Sequence, residues 1–119
     1  MTQYVDGFAF PIPSAHLAEY QQIAAAAAEV WKEHGALDYR EYIADDLELE
    51  GTRSFVDALG VSPGETVVFG WVTFASRESR DAANAKVAAD PRMVELMASG
   101  GSGFDATRMA YGGFRLLIG

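Results

Sequence analysis

The rhythm of apolar positions changes along the chain, and each change marks an element. Residues 3–10 are rich in β-branched and aromatic types and predict a first strand, with Pro11 and Pro13 as its stop. Leu17, Tyr20, Ala24, Ala27 and Trp31 then recur at three- and four-residue steps, with Ile23 and Val30 beside them. This is the spacing of one helix face. Ser14 is the expected N-cap, the alanines from Ala24 to Ala28 favour the helix, and Gly35 suits the left-handed position that closes it. Residues 36–44 predict a second strand, after which the acidic run from Asp45 to Glu50 leaves the core. A loop with a short helical turn over Ser54–Leu59 ends at the turn signal Ser62-Pro63-Gly64. Thr66–Phe74 is the most hydrophobic segment and reads as an inner strand.

Ser76 is a second N-cap candidate, before helical composition over residues 77–89. Asp90-Pro91 interrupts, because proline is excluded from a helix interior but favoured at a first helical position. A short third helix is therefore expected from Pro91 to Met97. Ser99–Gly103 reads as a flexible loop, and Arg108–Ile118 as a last strand in which Gly112-Gly113 mark a bulge or a close backbone approach. The order β-α-β-β-α-β is that of a ferredoxin-like α+β fold, a four-stranded antiparallel sheet with its helices on one face.

Strand alternation then divides the sheet into two faces. Val5, Gly7 and Ala9 point one way, and Tyr4, Asp6, Phe8 and Phe10 the other. Phe69 and Trp71 oppose Val68, Gly70, Val72 and Phe74, while Met109, Tyr111 and Arg115 oppose Ala110, Gly112 and Phe114. Small residues let helices sit close, so the Val5/Gly7/Ala9 face is assigned to the helices. The aromatic face is then left for a second copy or a ligand to cover. A symmetric homodimer closing its sheets into a barrel would do both.

Composition narrows the function classes. A length of 119 residues argues for one domain spanning 1–119, and the absence of cysteine removes disulfides, thiolate metal sites and cysteine nucleophiles. It is also compatible with a cytoplasmic location. A formal net charge of -8 with scattered basic residues makes nucleic acid and anionic lipid poor partners. No signal-peptide pattern opens the chain, and no apolar run approaches the roughly 20 residues that span a bilayer.

A series of segments runs in order along nearly the whole chain. They are Tyr4-Val5-Asp6-Gly7-Phe8 with Pro11 and Pro13, the stretch Trp31-Lys32-Glu33-His34-Gly35-Ala36-Leu37-Asp38-Tyr39-Arg40-Glu41, Asp45-Asp46, and Glu65 to Trp71. Ser76-Arg77, Arg80-Asp81, Asn84 to Val87, Ala89 to Met93, Phe104-Asp105 and Arg108 to Phe114 follow. With these segments the chain resembles the YbaA-like family of small bacterial proteins of unknown function. The resemblance implies a dimeric α+β barrel of ferredoxin-like protomers. It implies no established activity and carries over no catalytic residue. The wider superfamily includes cofactor-independent oxygenases, haem-handling enzymes and ligand-binding modules, but fold alone does not choose among them.

Candidate chemistry is sparse. Asp6 falls among Tyr4, Phe8 and Phe10, and a carboxylate buried among aromatics must find a partner or take up a proton. A simple register puts Arg115 opposite it, with Arg108 and Arg40 as alternatives. It is either a register-fixing ion pair or a base with a perturbed pKa. His34, expected at a helix C-terminus, is a second acid–base candidate, against the simpler reading of a cap. His16 reads as solvent-exposed, and no histidine spacing suggests a metal site. Phe8, Phe69, Trp71, Met109 and Tyr111 are candidates to line a pocket for a small apolar or aromatic molecule, with Arg40 and Arg115 to hold an anion. Tyr39 to Tyr42 read as the seam between protomers. Arg77, Arg80, Asn84 and Arg92 read as a solvated helix face. No phosphate loop, dinucleotide fingerprint or Ser-His-Asp order calls for a cofactor or names a reaction. The expected function is a dimeric barrel that binds a small apolar or aromatic molecule. The alternative is a cofactor-independent monooxygenase or isomerase, and RNA binding is the least favoured reading.

Overall fold

The computed structural model describes residues 3–98 and 102–119. The Gly/Ser stretch expected over 99–103 thus lies partly outside the described residues, as do the first two residues of the chain. The elements are β1 (Tyr4–Pro13), α1 (Leu17–Glu33), β2 (Asp38–Ile43), α2 (Phe55–Leu59), β3 (Glu65–Phe74), α3 (Arg77–Ala89), α4 (Pro91–Ala98) and β4 (Ala110–Arg115). The four strands form one antiparallel sheet in the order β2-β3-β1-β4. This is the expected ferredoxin-like arrangement, with β3 and β1 inside. Among the described residues, no helix is long and apolar enough to cross a membrane.

Several element ends differ from the sequence reading for physical reasons. β1 runs through both prolines and pairs with β3 as far as Pro13↔Glu65, whereas its pairing with β4 stops at Ala9↔Ala110. Beyond Ala9 one side of β1 is therefore an edge, where a missing proline N–H costs no ladder bond. Ser14 opens a 3-10 turn over Ser14–His16 and makes no side-chain cap, and α1 starts after His16. β4 is shorter than expected, because Arg108 belongs to a preceding 3-10 turn over Ala106–Arg108. The other caps stand as expected: Ser76 Oγ accepts from Ser79 N, Asp90 Oδ1 accepts from Arg92 N, and Gly35 has a φ of 120°.

The helices cover the face opposite to the one assigned from side-chain size. Phe10 and Ile12 are sealed beneath α1, Phe74 packs on Trp31, and Asp6 meets Arg80 of α3. The Val5/Gly7/Ala9 face is the open one, shared with Trp71, Phe69 and Phe114. Small residues there make room for neighbouring rings rather than for helices: a side chain on Gly112 would come within 3.0 Å of the Phe114 ring. The helix-side glycines work the same way. Phe8 lies over Gly70 and the Tyr4 phenol lies over Gly113, which is the close approach that the paired glycines signalled.

Candidate functional site

Among the described residues, buried apolar side chains group into three clusters. Ala27, Val30, Val87 and Met93 join the helices, and Ala36, Val72, Phe74 and Ala83 join α3 to the sheet. Phe10, Ile12 and Val68 lie towards the other end of β1. Between them is a cavity of about 630 Å³. Its origin is in the sequence. The helix faces over the sheet carry Ala24, Ala27 and Ala88, side chains that favour a helix but fill little space. Phe8 and Val72 line the cavity from the sheet, Trp31, Met93 and Leu96 line it from the helices, and Phe104 and Met109 add to the lining from the segment before β4.

The polar lining is small and specific. Register places Tyr39, Val72, Asp6 and Gly113 in one row across the sheet, and Glu41, Gly70, Phe8 and Tyr111 in the next. Asp6 is 4 % exposed. Its Oδ1 stands 3.4 Å from Arg80 Nη1 but accepts no hydrogen bond, and the Tyr111 hydroxyl bonds the same carboxyl. Burial raises the Asp6 pKa above the ordinary carboxylate value, against the opposing pull of Tyr111 and Arg80. The same surroundings push the Tyr111 phenol up to about 12. Arg80 Nη1 donates to Tyr111 Oη and Nη2 to Tyr4 Oη, both at 3.0 Å. Its guanidinium carbon lies 4.9 Å from the centre of the Tyr4 ring, and its buried Nε is 3.0 Å from Asp81 Oδ1.

A second polar group lies across the floor, two strand spacings or about 10 Å from Asp6. Tyr39 Oη donates to Glu41 Oε2 at 2.6 Å, and Tyr20 Oη donates to Glu41 Oε1. Burial first and the Glu41 carboxylate second hold both phenols well above the usual tyrosine range, so they remain neutral donors. Asn84, on α3, adds a carboxamide to the lining.

The open face is different. Tyr42, Trp71 and Phe69 form a run of ring contacts at 5.2 and 5.8 Å, extended to Phe55 of α2 at 6.2 Å. The loop containing α2 thus reaches this face. Arg40 lies beside Trp71 in the register and donates from Nε to Asp38 Oδ2 at 2.8 Å.

The model of a family described only as proteins of unknown function, DUF1428, matches residues 3–106. The chain belongs to this family. In sequence, this DUF1428 protein is 42% identical over 116 residues to the uncharacterized protein YbaA of Escherichia coli K12, covering 98% of this chain and 97% of that one. In structure it is similar to a dimeric ferredoxin-like protein from an uncultured marine organism, with a TM-score of 0.56 and 12% identity over 99% of this chain and 96% of that one. It is also similar to SnoaB, a cofactor-independent oxygenase from Streptomyces nogalater. There the TM-score is 0.56 with 14% identity, over 94% of this chain and 90% of the other. The structural likenesses show the ferredoxin-like α+β fold, and the sequence match bears out the YbaA-like resemblance.

The residues singled out from the sequence of this DUF1428 member separate onto the two faces. Asp6, Phe8, Met109 and Tyr111 line the cavity, while Phe69, Trp71 and Arg40 lie on the open face. The register sets them apart, because Phe8 pairs with Gly70 and so leaves Phe69 and Trp71 on the other side of the sheet, although Phe8 and Tyr111 also border the groove on the open face. Arg115 pairs with Tyr4 in the register instead of with Asp6. Arg108 is also elsewhere: it donates to Glu65 Oε2 at 2.6 Å, to Glu65 Oε1 at 2.9 Å and to Gly60 O. His34 does not line the cavity. Its Nε2 lies 2.8 Å from Asp90 Oδ2, tying the end of α1 to the start of α4. Arg92 completes that tie through Asp90 and Glu33.

Arg80 corrects the reading of a solvated helix face, since it is the actual partner of Asp6. Its signal was present: Arg80, Ala83, Asn84 and Val87 follow i, i+3, i+4 and i+7, one stripe facing inward. Tyr20 and Glu41 were also missed as a pair, because 21 positions separate them. Among the described residues, no group of three or more His, Asp or Glu side chains could hold a metal ion.

Proposed function

We propose that this chain is a homodimer in which each protomer holds a small apolar or aromatic molecule between its sheet and its helices. The observation that carries the proposal is the cavity of about 630 Å³, whose lining is mostly alanine, aromatic and methionine side chains with a few convergent polar groups. The dimer is supported by the open face. Phe114 is 62 % exposed and Tyr42 and Phe69 nearly half, an apolar surface that a second copy would cover. A structural neighbour described as dimeric is consistent with that.

The test is a cavity-filling substitution. Wild-type protein and Ala24→Leu are titrated calorimetrically with naphthalene and 2-methoxynaphthalene. Added methylenes in the void should weaken binding at least about tenfold and leave the melting temperature unchanged or higher. Equal affinity of the two proteins would remove the cavity as the site.

A second reading is favoured by one observation, the buried Asp6 carboxyl within an apolar lining. A cofactor-independent enzyme acting on an enolisable aromatic would use such a group as its base. One structural neighbour is described as a cofactor-independent oxygenase. Under this reading Asp6→Asn abolishes turnover of an enolisable ligand that still binds. Unchanged turnover in that variant excludes Asp6 as the base.

A further inference from the structure

The charge of the lining restricts what the cavity accepts. Among the described residues its lining carries one carboxyl, that of Asp6, and no lysine or arginine. Arg80 is the nearby cation, yet it does not form part of the cavity wall. Its Nη1 donates to Tyr111 and its Nη2 to Tyr4, while Nε lies 3.0 Å from Asp81 Oδ1 without a hydrogen bond and Nη1 is also 3.4 Å from Asp6 Oδ1. An anionic ligand would enter a low-dielectric space facing the Asp6 carboxyl, with no lysine or arginine among the described residues of the wall to meet it. Asp6 presents the complementary need. Its side chain is more than nine-tenths buried and lines the cavity, and its Oδ1, though 3.4 Å from Arg80 Nη1, accepts no hydrogen bond. Tyr20 and Tyr39, across the floor, have their hydroxyl protons directed to Glu41.

Building on the reading of the cavity as a ligand site, we infer that its ligand is a neutral, flat apolar molecule bearing a phenolic or enolic hydroxyl, which donates to the Asp6 carboxyl. A ligand of this class supplies the missing donor and leaves the Arg80 network intact. The apolar lining takes the ring, and Asn84 is available to a second polar substituent. A carboxylate or phosphate ester of the same ring has the wrong charge. A hydrocarbon or ether of the same shape leaves the buried acceptor unsatisfied.

Three probes of one ring size separate these cases on the wild-type protein: 2-naphthol, 2-methoxynaphthalene and 2-naphthoate, titrated calorimetrically at neutral pH. The expected order is 2-naphthol tightest, by about tenfold over the ether, and by more over the carboxylate. In Asp6→Leu, which removes the acceptor, 2-naphthol and its ether should bind alike. Where that variant does not fold, the order of the three probes on the wild type decides. Ether binding equal to that of 2-naphthol overturns the assignment of a donated hydroxyl, and tighter 2-naphthoate overturns the neutral class. Either result leaves the cavity as a ligand site. Failure of all three probes removes both the inference and the reading beneath it.

Discussion

The two faces of the sheet solve the same problem in opposite ways. Both carry aromatic residues at alternate positions of the same strands. On the helix side, Phe10, Ile12 and Phe74 are sealed, and the buried Asp6 carboxyl sits beside Arg80 and Tyr111. On the other side, Phe69, Tyr42 and Phe114 remain open to solvent, and Arg40 reaches its strand neighbours Asp38 and Tyr42. The difference shows that aromatic size does not say which face a helix will cover. A covered face must reconcile its polar groups one by one, and the stripe Arg80/Ala83/Asn84/Val87 on α3 is cut to match Asp6 and the cavity beneath it. The open face has only to be flat and apolar, which suits a second copy of itself.

That contrast breaks most visibly by truncating one ring on each face. Phe10 is 1 % exposed, and its ring makes edge contacts with Tyr20 and Phe104 at 5.4 and 4.9 Å. Phe10→Ala should cost about 3–5 kcal/mol of stability in chemical denaturation. The matching Phe69→Ala, whose ring is 42 % exposed and meets Trp71 and Phe55 at 5.8 and 6.2 Å, should cost about 1 kcal/mol or less in the isolated protomer. Comparable losses would mean that the open face is as well packed as the covered one.

A charge placed on the open face sharpens the comparison at the level of assembly. Trp71→Asp puts a carboxylate between Tyr42 and Phe69, where a second copy would have to bury it. By sedimentation velocity the wild type should run as a dimer and the variant as a monomer. Naphthalene binding by the cavity on the other side should be unchanged. A wild type that sediments as a monomer at micromolar concentration removes the dimer from the proposed function.

How much of this was legible in the sequence depends on the range of the interaction. The element order, the strand alternation, the Ser76 and Asp90 caps and the positive φ at Gly35 follow from local chemistry, and the sequence reading has them. The run of β1 through Pro11 and Pro13 was hidden, because it depends on where β4 ends. The face assignment failed because it weighed side-chain size alone. Had the inward stripe of α3 been matched to strand charges, Arg80 would have pointed to Asp6 and placed that face under the helices. The Tyr20–Glu41–Tyr39 group needs α1 and β2 to be docked before it exists. The cavity was least legible of all, since a void is what a row of alanines leaves when everything around it is already in place.

The smallest effect expected is also the one with the clearest sign. Burial raises the Asp6 pKa above 3.8, with Arg80, Tyr111, Tyr4 and Asp81 as the groups around it. Between 3.8 and that raised value, the folded state holds a proton that the unfolded chain has lost. Stability contributed by Asp6 is therefore complete below the unfolded value and falls as pH climbs through the folded one. Glu65 has the opposite sense. Its bidentate bonds from Arg108 and the Ser62 N–H lower its pKa from 4.5 to about 2, so its contribution is present above 4.5 and is lost as pH falls towards 2. Urea unfolding across a pH series, with each variant subtracted from wild type, isolates the two. The wild-type advantage over Asp6→Asn should shrink as pH rises from 4 towards neutrality, whereas its advantage over Glu65→Gln should grow between about 2 and 4.5. An Asp6→Asn difference that instead grows with pH would show that attraction to Arg80 outweighs burial. In that case the covered face would hold an ordinary ion pair, and the distinction between the faces would rest on packing alone.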